Sequence, residues 1–402
     1  MKNNWKIVKI PEVLSFQEGP GVRKHQFTTE GVKLLNVGNI NDGQINLSKT
    51  KIFISEQEAY GKYKHFLADD GDLVIASSGI VVSNFHNKIA FIKKEHLPLC
   101  MNTSTIRFKA IDNKIIDINY FKYFLKTNFF SNQLRKLITG SAQLNFGPSH
   151  LKQIDLLLPP LDDQKRIVEL LDQADSLRQK RKQAIGLLDD YLKSMFLEMF
   201  GDPVKNPNGW EVGTIDTVCD QIVDCVNRTA PVVKYSTKYK MIRTTNVRDY
   251  KINFDDTRYV TEEIYNKWTR RLIPQKEDII FTREAPLGEA AIINFDDKVF
   301  LGQRTMQFRP NKTKISPHFL LFQLMGDFLK QQMLKLSSGS TVKHLSVPAC
   351  KNFKVLIPPL ALQKEFSGIV QKTESIKQSM FTQSEELDNQ FQALMQKSFA
   401  SN

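Results

Sequence analysis

The side chains best suited to chemistry in this sequence are hydrogen-bonding groups that follow short apolar runs or flank two Gly-Ser loops. Arg283 and Arg304 carry forked donors that match the O6 and N7 acceptors of guanine, and the amides of Gln303 and Asn102 match adenine. The loops Gly140-Ser141-Ala142-Gln143 and Gly339-Ser340-Thr341-Val342 offer N–H and hydroxyl groups of the kind that hold phosphate oxygens. His150, Lys343 and His344 stand beside them, and Ser77 and Asn145 complete the set. All of these, Ser141, Gln143, Ser340 and Thr341 included, are candidate DNA contacts. The plainer reading of any one is a connecting turn or a polar surface residue.

Bond-breaking chemistry finds less support. The sequence holds neither a GxxxxGK[ST] phosphate loop nor a GxGxxG turn, so ATP-driven work would fall to a partner. Pro159-Pro160 and Pro358-Pro359 follow Leu158 and Ile357 and precede Leu161 and Leu360. An adenine methyltransferase carries Asn or Asp before such a pair and an aromatic after it, so neither pair can hold an extruded base that way. The acidic clusters Asp69-Asp70-Gly71-Asp72 and Glu277-Asp278 each precede an apolar run and read as solvated turns. Cys100, Cys219, Cys225 and Cys350 form no CxxC pair and no metal spacing, and read as buried, reduced thiols. The expectation is a chain with no catalytic residue, no metal site and no cofactor of its own.

Short β-favouring runs between Gly, Asn and Asp turns must position the candidate contacts, and they come in matched order. Trp5–Ile10 answers Trp210–Ile215, and Leu34–Ile40 answers Met241–Val247, sharing an Asn before an aliphatic residue. Gly71–Ser77 answers Glu277–Arg283, and Ser104–Ala110 answers Arg304–Pro310. An aromatic-rich helix is expected over Tyr120–Leu137 and again over Phe319–Leu336, more for core packing than for base stacking. A last strand (Ile154–Leu158; Phe353–Ile357) then enters the tandem prolines.

After each proline pair comes a long helical segment. Leu161 to Ile185 holds no Gly or Pro, Asp162 or Asp163 can cap the start, and Gly201-Asp202-Pro203 ends the run at Phe200. Apolar residues at Ile167, Leu170, Ala174, Leu177, Ala184, Leu188, Tyr191 and Met195 trace a heptad seam broken at Arg181. Gly140–Phe200 aligns without a gap onto Gly339–Phe399, with Gln164/Gln363, Leu188/Leu387 and Phe200/Phe399 among the matched pairs. This is an internal duplication. The helix-pair packing set is Ile167, Leu170, Leu177 and Leu188 with Ile376, Met380, Leu387 and Leu394. Segment boundaries fall at 1–158, 159–200, 201–357 and 358–402.

The chain's 402 residues, 41% hydrophobic and 25% charged, can bury sizeable cores. The net charge of +13 is unevenly spread. Residues 1–160 hold 21 basic and 13 acidic side chains and residues 201–360 hold 24 and 17, while the two helical segments are each at −1. Two basic lobes joined by near-neutral helices point to two polyanion-binding surfaces. No apolar run approaches the ~18 residues of a membrane span and no leader is evident, so a cytoplasmic location is expected.

Two variable lobes, each closed by a Gly-Ser loop, a strand ending in L-P-P-L or I-P-P-L, a glutamine and a long heptad helix, resemble a type I restriction–modification specificity (S) subunit. The resemblance spans the whole chain and is most specific over Gly140–Phe200 and Gly339–Phe399. It implies an α+β protein with two pseudo-symmetric α/β target-recognition lobes separated by two long antiparallel coiled-coil helices. It also implies double-stranded DNA as ligand, two modification (methyltransferase) subunits as partners, and restriction (translocase/nuclease) subunits in the full complex. S-adenosylmethionine, ATP and Mg would sit on those partners. The alternatives are the specificity subunit of a type IIB-like system and a non-catalytic coiled-coil scaffold; the charge of the lobes speaks against the scaffold.

Overall fold

Apolar runs that open behind an aspartate become the inner strands of two sheets built alike. Leu73–Ala76 and Ile279–Thr282 are buried along their whole length. The computed structural model describes residues 5–48, 50–138, 143–337 and 344–399. In it the first run lies in a four-stranded antiparallel sheet of order Leu14–Glu18, Thr105–Ala110, Leu73–Ala76, Ile89–Phe91. The second lies in the sheet Cys219–Asp224, Thr305–Pro310, Ile279–Thr282, Ala290–Ile292. Each lobe adds a three-stranded sheet containing one parallel pair, Val32–Leu35 with Leu99–Met101 and Tyr239–Ile242 with Lys298–Leu301. Its opening strand, Lys6–Lys9 or Glu211–Thr214, pairs antiparallel with the strand before the prolines. The two lobes share one topology, as the matched order predicts.

The chain divides into two compact units: Met1–Arg181 with Gln383–Asn402, and Lys182–Thr382. The division does not follow the boundaries drawn from the sequence, because each unit takes one lobe and half of each long helix. Those helices run Leu161–Phe200 and Leu360–Phe399, 40 residues each. Gly201 ends the first at φ +77°, its N–H bonding the Leu197 carbonyl at 2.8 Å. Eleven residues forward from Arg178 to Asp189 match eleven back from Asp388 to Lys377. In each unit a pair of these residues meets in an ion pair, so the register is antiparallel.

The buried stripe lies one residue along from the seam read in the sequence. Val168 and Leu171, then Ile185, Leu192, Phe196 and Phe200, are buried, whereas Leu170, Leu177 and Tyr191 are about half exposed. On the second helix Phe366, Val370, Phe391, Met395 and Phe399 are buried and Ile376 is 45% exposed. Leu170, Leu177 and Ile376 are thus removed from the packing set, while Ile167, Leu188, Met380, Leu387 and Leu394 are half-buried. One residue turns a helix by about 100°, so two apolar stripes can run side by side. The buried one is hard to see because polar residues interrupt it. Its cation is Arg178 and not Arg181: Arg178 reaches Asp388 at 2.5 Å and Asp175 at 2.7 Å, over the ring of Phe391.

Three further expectations are corrected. The aromatic segment of the first lobe is two helices, Ile118–Phe124 and Asn128–Leu137. The Thr127 hydroxyl accepts the Phe130 N–H and donates to the Phe124 carbonyl, ending one helix and capping the next. The second lobe breaks at Gly326, between Pro317–Met325 and Asp327–Ser337. Asp72 and Asp278 are not solvated turn residues; each is 2% exposed. Asp72 closes its turn by accepting the Asp69 N–H and pairs with Arg107 and Lys109 on the next strand. Asp278 accepts from the Gln275 N–H, Gln307 and Arg309. The shared asparagine does the same job twice: Asn39 and Asn246 accept the N–H of residues 36 and 243 and donate to the Asn46 and Asn253 carbonyls. All four cysteines are free, and burial pushes the thiols of Cys100, Cys219 and Cys350 up to about 12.

A fully buried glutamine ties each helix start to a lobe. Gln164 Oε1 accepts the Asp117 N–H at 2.8 Å, and its Nε2 donates to the Ile115 and Pro159 carbonyls at 2.9 Å. Gln363 does the same with Ser316 N–H and the Lys314 and Pro358 carbonyls. The helix ends are held by aromatics. Phe200 packs 4.5 Å from Phe319, and Phe399 stacks 5.1 Å from Tyr120. The second helix therefore finishes in the core of the first lobe. Replacing Gln164 or Gln363 by Ala leaves one donor and two acceptors without partners, at a cost of roughly 1–3 kcal/mol. Chemical denaturation checks this, and a loss under about 0.5 kcal/mol would show that the amide is not a clamp. The Phe399 contact also predicts that a circular permutant, with Asn402 joined to Met1 through a linker and the chain opened within residues 201–208, folds. Thermal melting and circular dichroism report the outcome.

Candidate nucleic-acid interface

In each lobe three segments meet at one end of the four-stranded sheet: the end of the inner strand, the start of its longer neighbour, and the residues after the Gly-Ser loop. In the first, the Ser77 N–H bonds the Ser104 carbonyl at 2.9 Å and the Phe146 N–H bonds the Ser77 carbonyl at 2.9 Å. In the second, Arg283 bonds Arg304 at 2.9 Å and Leu345 bonds Arg283 at 3.0 Å in the same way. A threonine opens the longer strand in both, Thr105 donating to Asn102 and Thr305 to Gly302. One backbone frame carries two sets of side chains, placing Ser77, Ser104 and Asn145 where the other lobe has Arg283, Arg304 and His344.

The first lobe's set is uncharged. Asn145 is exposed, and its Oδ1 accepts from the Gly79 N–H at 2.8 Å and the Ser78 hydroxyl at 3.1 Å. Asn102 donates to Asn36 at 2.7 Å and accepts the Thr103 N–H. Ser77 does not reach the surface: it is 1% exposed, with its hydroxyl directed to the Thr103 carbonyl. His150 is half-buried, and its Nδ1 accepts the Gly147 N–H, closing a turn.

The second lobe's set is charged. Glu284 bridges two bases, its Oε2 lying 2.7 Å from Arg304 Nε and its Oε1 2.6 Å from His344 Nδ1. Gln303 is exposed and accepts from the Thr229 hydroxyl at 3.3 Å. Arg283 is 9% exposed and donates to the Leu345 carbonyl. It supports the loop from beneath and is too buried to read a base edge. Sequence reasoning missed Glu284, because a search for donors passes over a carboxylate in a basic lobe. It also missed Asn36 and Ser78, whose partners lie 66 and 67 positions away. Ser141, Ser340, Thr341 and Lys343 lie outside the described residues, as does the side chain of Gln143.

Comparisons with known proteins identify the family. The family described as "Type I restriction modification DNA specificity domain" matches residues 2–187 and again 207–388. The chain is 22% identical to the MjaVIII specificity subunit of Methanocaldococcus jannaschii, over 98% of this chain and 91% of the relative. It is 22% identical to the StySPI specificity subunit of Salmonella potsdam, over 94% and 82%. A solved structure of a type I system reported for its complex assembly and conformational transition matches with a TM-score of 0.59 at 17% identity, covering 99% of this chain and 98% of that one. The S subunit from M. genitalium matches with a TM-score of 0.52 at 14% identity, over 99% and 97%. With two copies of the family's domain across nearly its whole length, this chain belongs to the type I restriction–modification DNA specificity subunits.

Proposed function

We propose that this chain is the non-catalytic reading subunit of its complex, engaging a bipartite duplex target with one half-site for each lobe. The observation that carries this reading is the single backbone frame, built twice and filled with different side chains. Such a frame suits two readers of different sequence. The basic excess of each lobe supplies the phosphate attraction that any such reader needs. Described helices include none long and apolar enough to cross a membrane, and we assign the chain to the cytoplasm, where its DNA target would be.

The second apolar stripe gives the helices a further role. Leu170 and Leu177 in the first unit, and Tyr191 in the second, are between 45% and 57% exposed. A partner helix laid along this stripe would bury it, and we assign that place to two modification subunits. They would carry S-adenosylmethionine, and restriction subunits would bring ATP and Mg. The purified chain alone should neither methylate nor cut DNA, and adding modification subunits and methyl donor should produce site-specific adenine methylation. Methyl transfer by the lone, pure chain would overturn this division of labour.

The helices also read as the ruler between half-sites. One heptad inserted between Arg181 and Lys182, with another between Thr382 and Gln383, leaves the Arg178–Asp388 and Asp189–Lys377 pairs intact. Each helix gains about 10.5 Å, equivalent to at most about three base pairs along a duplex. The methylated motif should keep both half-sites and lengthen its gap by about one to three base pairs. Altered half-sites with an unchanged gap would make the helices readers instead.

A further inference from the structure

Resting on the reading of this sheet end as a DNA interface, we propose that Arg304 reads a guanine in one half-site and that Glu284 is the residue that positions it. Arg304 stands at φ +69°, a region that residues other than glycine rarely occupy and that costs free energy to hold. The surroundings hold it there: its N–H donates to Cys225 Sγ at 3.2 Å and its carbonyl accepts the Arg283 N–H at 2.9 Å. The side chain that results is 59% exposed.

Its head is arranged for one task. Nε is taken by Glu284, which leaves the two terminal nitrogens, the pair that fits O6 and N7 of guanine. Glu284 is itself held by His344, with its side chain 21% exposed. A long, flexible side chain is thereby ordered before DNA arrives, which lowers the entropic cost of the contact. The carboxylate also discriminates between two uses of an arginine. Beside a phosphate it would repel the ligand and cancel the attraction, whereas beside a base edge it leaves the hydrogen-bonding fork intact. In the first lobe the matched positions are Ser104, Ser78 and Asn145, so this way of reading guanine belongs to one half-site alone.

The test uses the full chain with its modification subunits and methyl donor, sequencing the methylated motif of genomic DNA. The wild-type motif should contain an obligatory G·C pair in one half. Arg304→Ala should relax that base pair alone, lowering its discrimination by roughly 10- to 100-fold with the other half unchanged. Arg304→Lys keeps the charge without the fork and should relax the same pair, guarding against misfolding of the alanine variant. Glu284→Gln, with an unchanged melting temperature, should partly relax it and strengthen non-specific binding at low salt. If the lysine variant keeps the full motif, or if Arg304 variants weaken all sequences alike and lower the salt slope by about one, Arg304 is a phosphate contact and the proposal falls. A complex that yields no motif at all would instead overturn the DNA reading on which the proposal rests.

Discussion

A primary amide shut away from water has to find backbone partners, and that requirement fixes how each long helix leaves its lobe. Gln164 and Gln363 have no exposed surface, so each must place two donors and one acceptor within the few carbonyls and N–H groups around it. Both solve the problem alike, with the carbonyl of the first proline and two groups of the segment that leads into the aromatic helices. A rotated helix would break three hydrogen bonds at once. The tandem prolines, which continue neither strand nor helix, sit where this turn is made. A second amide pair reinforces the frame: Gln133 and Gln332 each donate to and accept from the first residue of the strand before the prolines, mimicking a β-ladder partner.

With the scaffold held in this way, the loops at the sheet end are free to differ. The bonds common to both lobes that join the three segments are between backbone groups, so they tolerate different side chains. That explains how serine and asparagine in one lobe can stand where arginine and histidine stand in the other without disturbing the strands. What changes between lobes is charge: an amide network around Asn102 and Asn145 against an ion-pair network around Glu284. The fold supplies position and the loops supply identity.

The sequence showed clearly whatever depends on apolar spacing or on repetition. The strands, the long helices and the duplication follow from runs, prolines and a fixed offset, and Gln164/Gln363 appeared among the matched pairs before their role was visible. It hid whatever depends on polar groups that pair at a distance. Asp72 and Asp278 look like turn residues until Lys109 and Arg309 on the next strand are brought over them. Leu170 and Leu177 look like the seam because the buried stripe is interrupted by Asp175 and Arg178, which become compatible with burial only once Asp388 arrives. Glu284 gives no local signal at all, its partners lying 20 and 60 positions away.

Those interrupted stripes carry a physical consequence of their own. Two antiparallel helices with purely apolar seams could slip by a heptad at little cost, because leucine meets leucine equally well at either register. Lys377, with a side chain only 9% exposed, and Arg178 at 16% remove that freedom. A slip of seven residues would unpair both cations, at a cost that the partial exposure of Asp388 and Asp189, 39% and 49%, keeps below that of a fully buried pair. Both pairs place the cation on one helix and the anion on the other, in opposite senses, Arg178 with Asp388 and Asp189 with Lys377. Apolar burial can hold the helices together, and these two pairs act with the glutamine clamps and the docked aromatic ends to fix a single register. A helix pair of indefinite register would define no length.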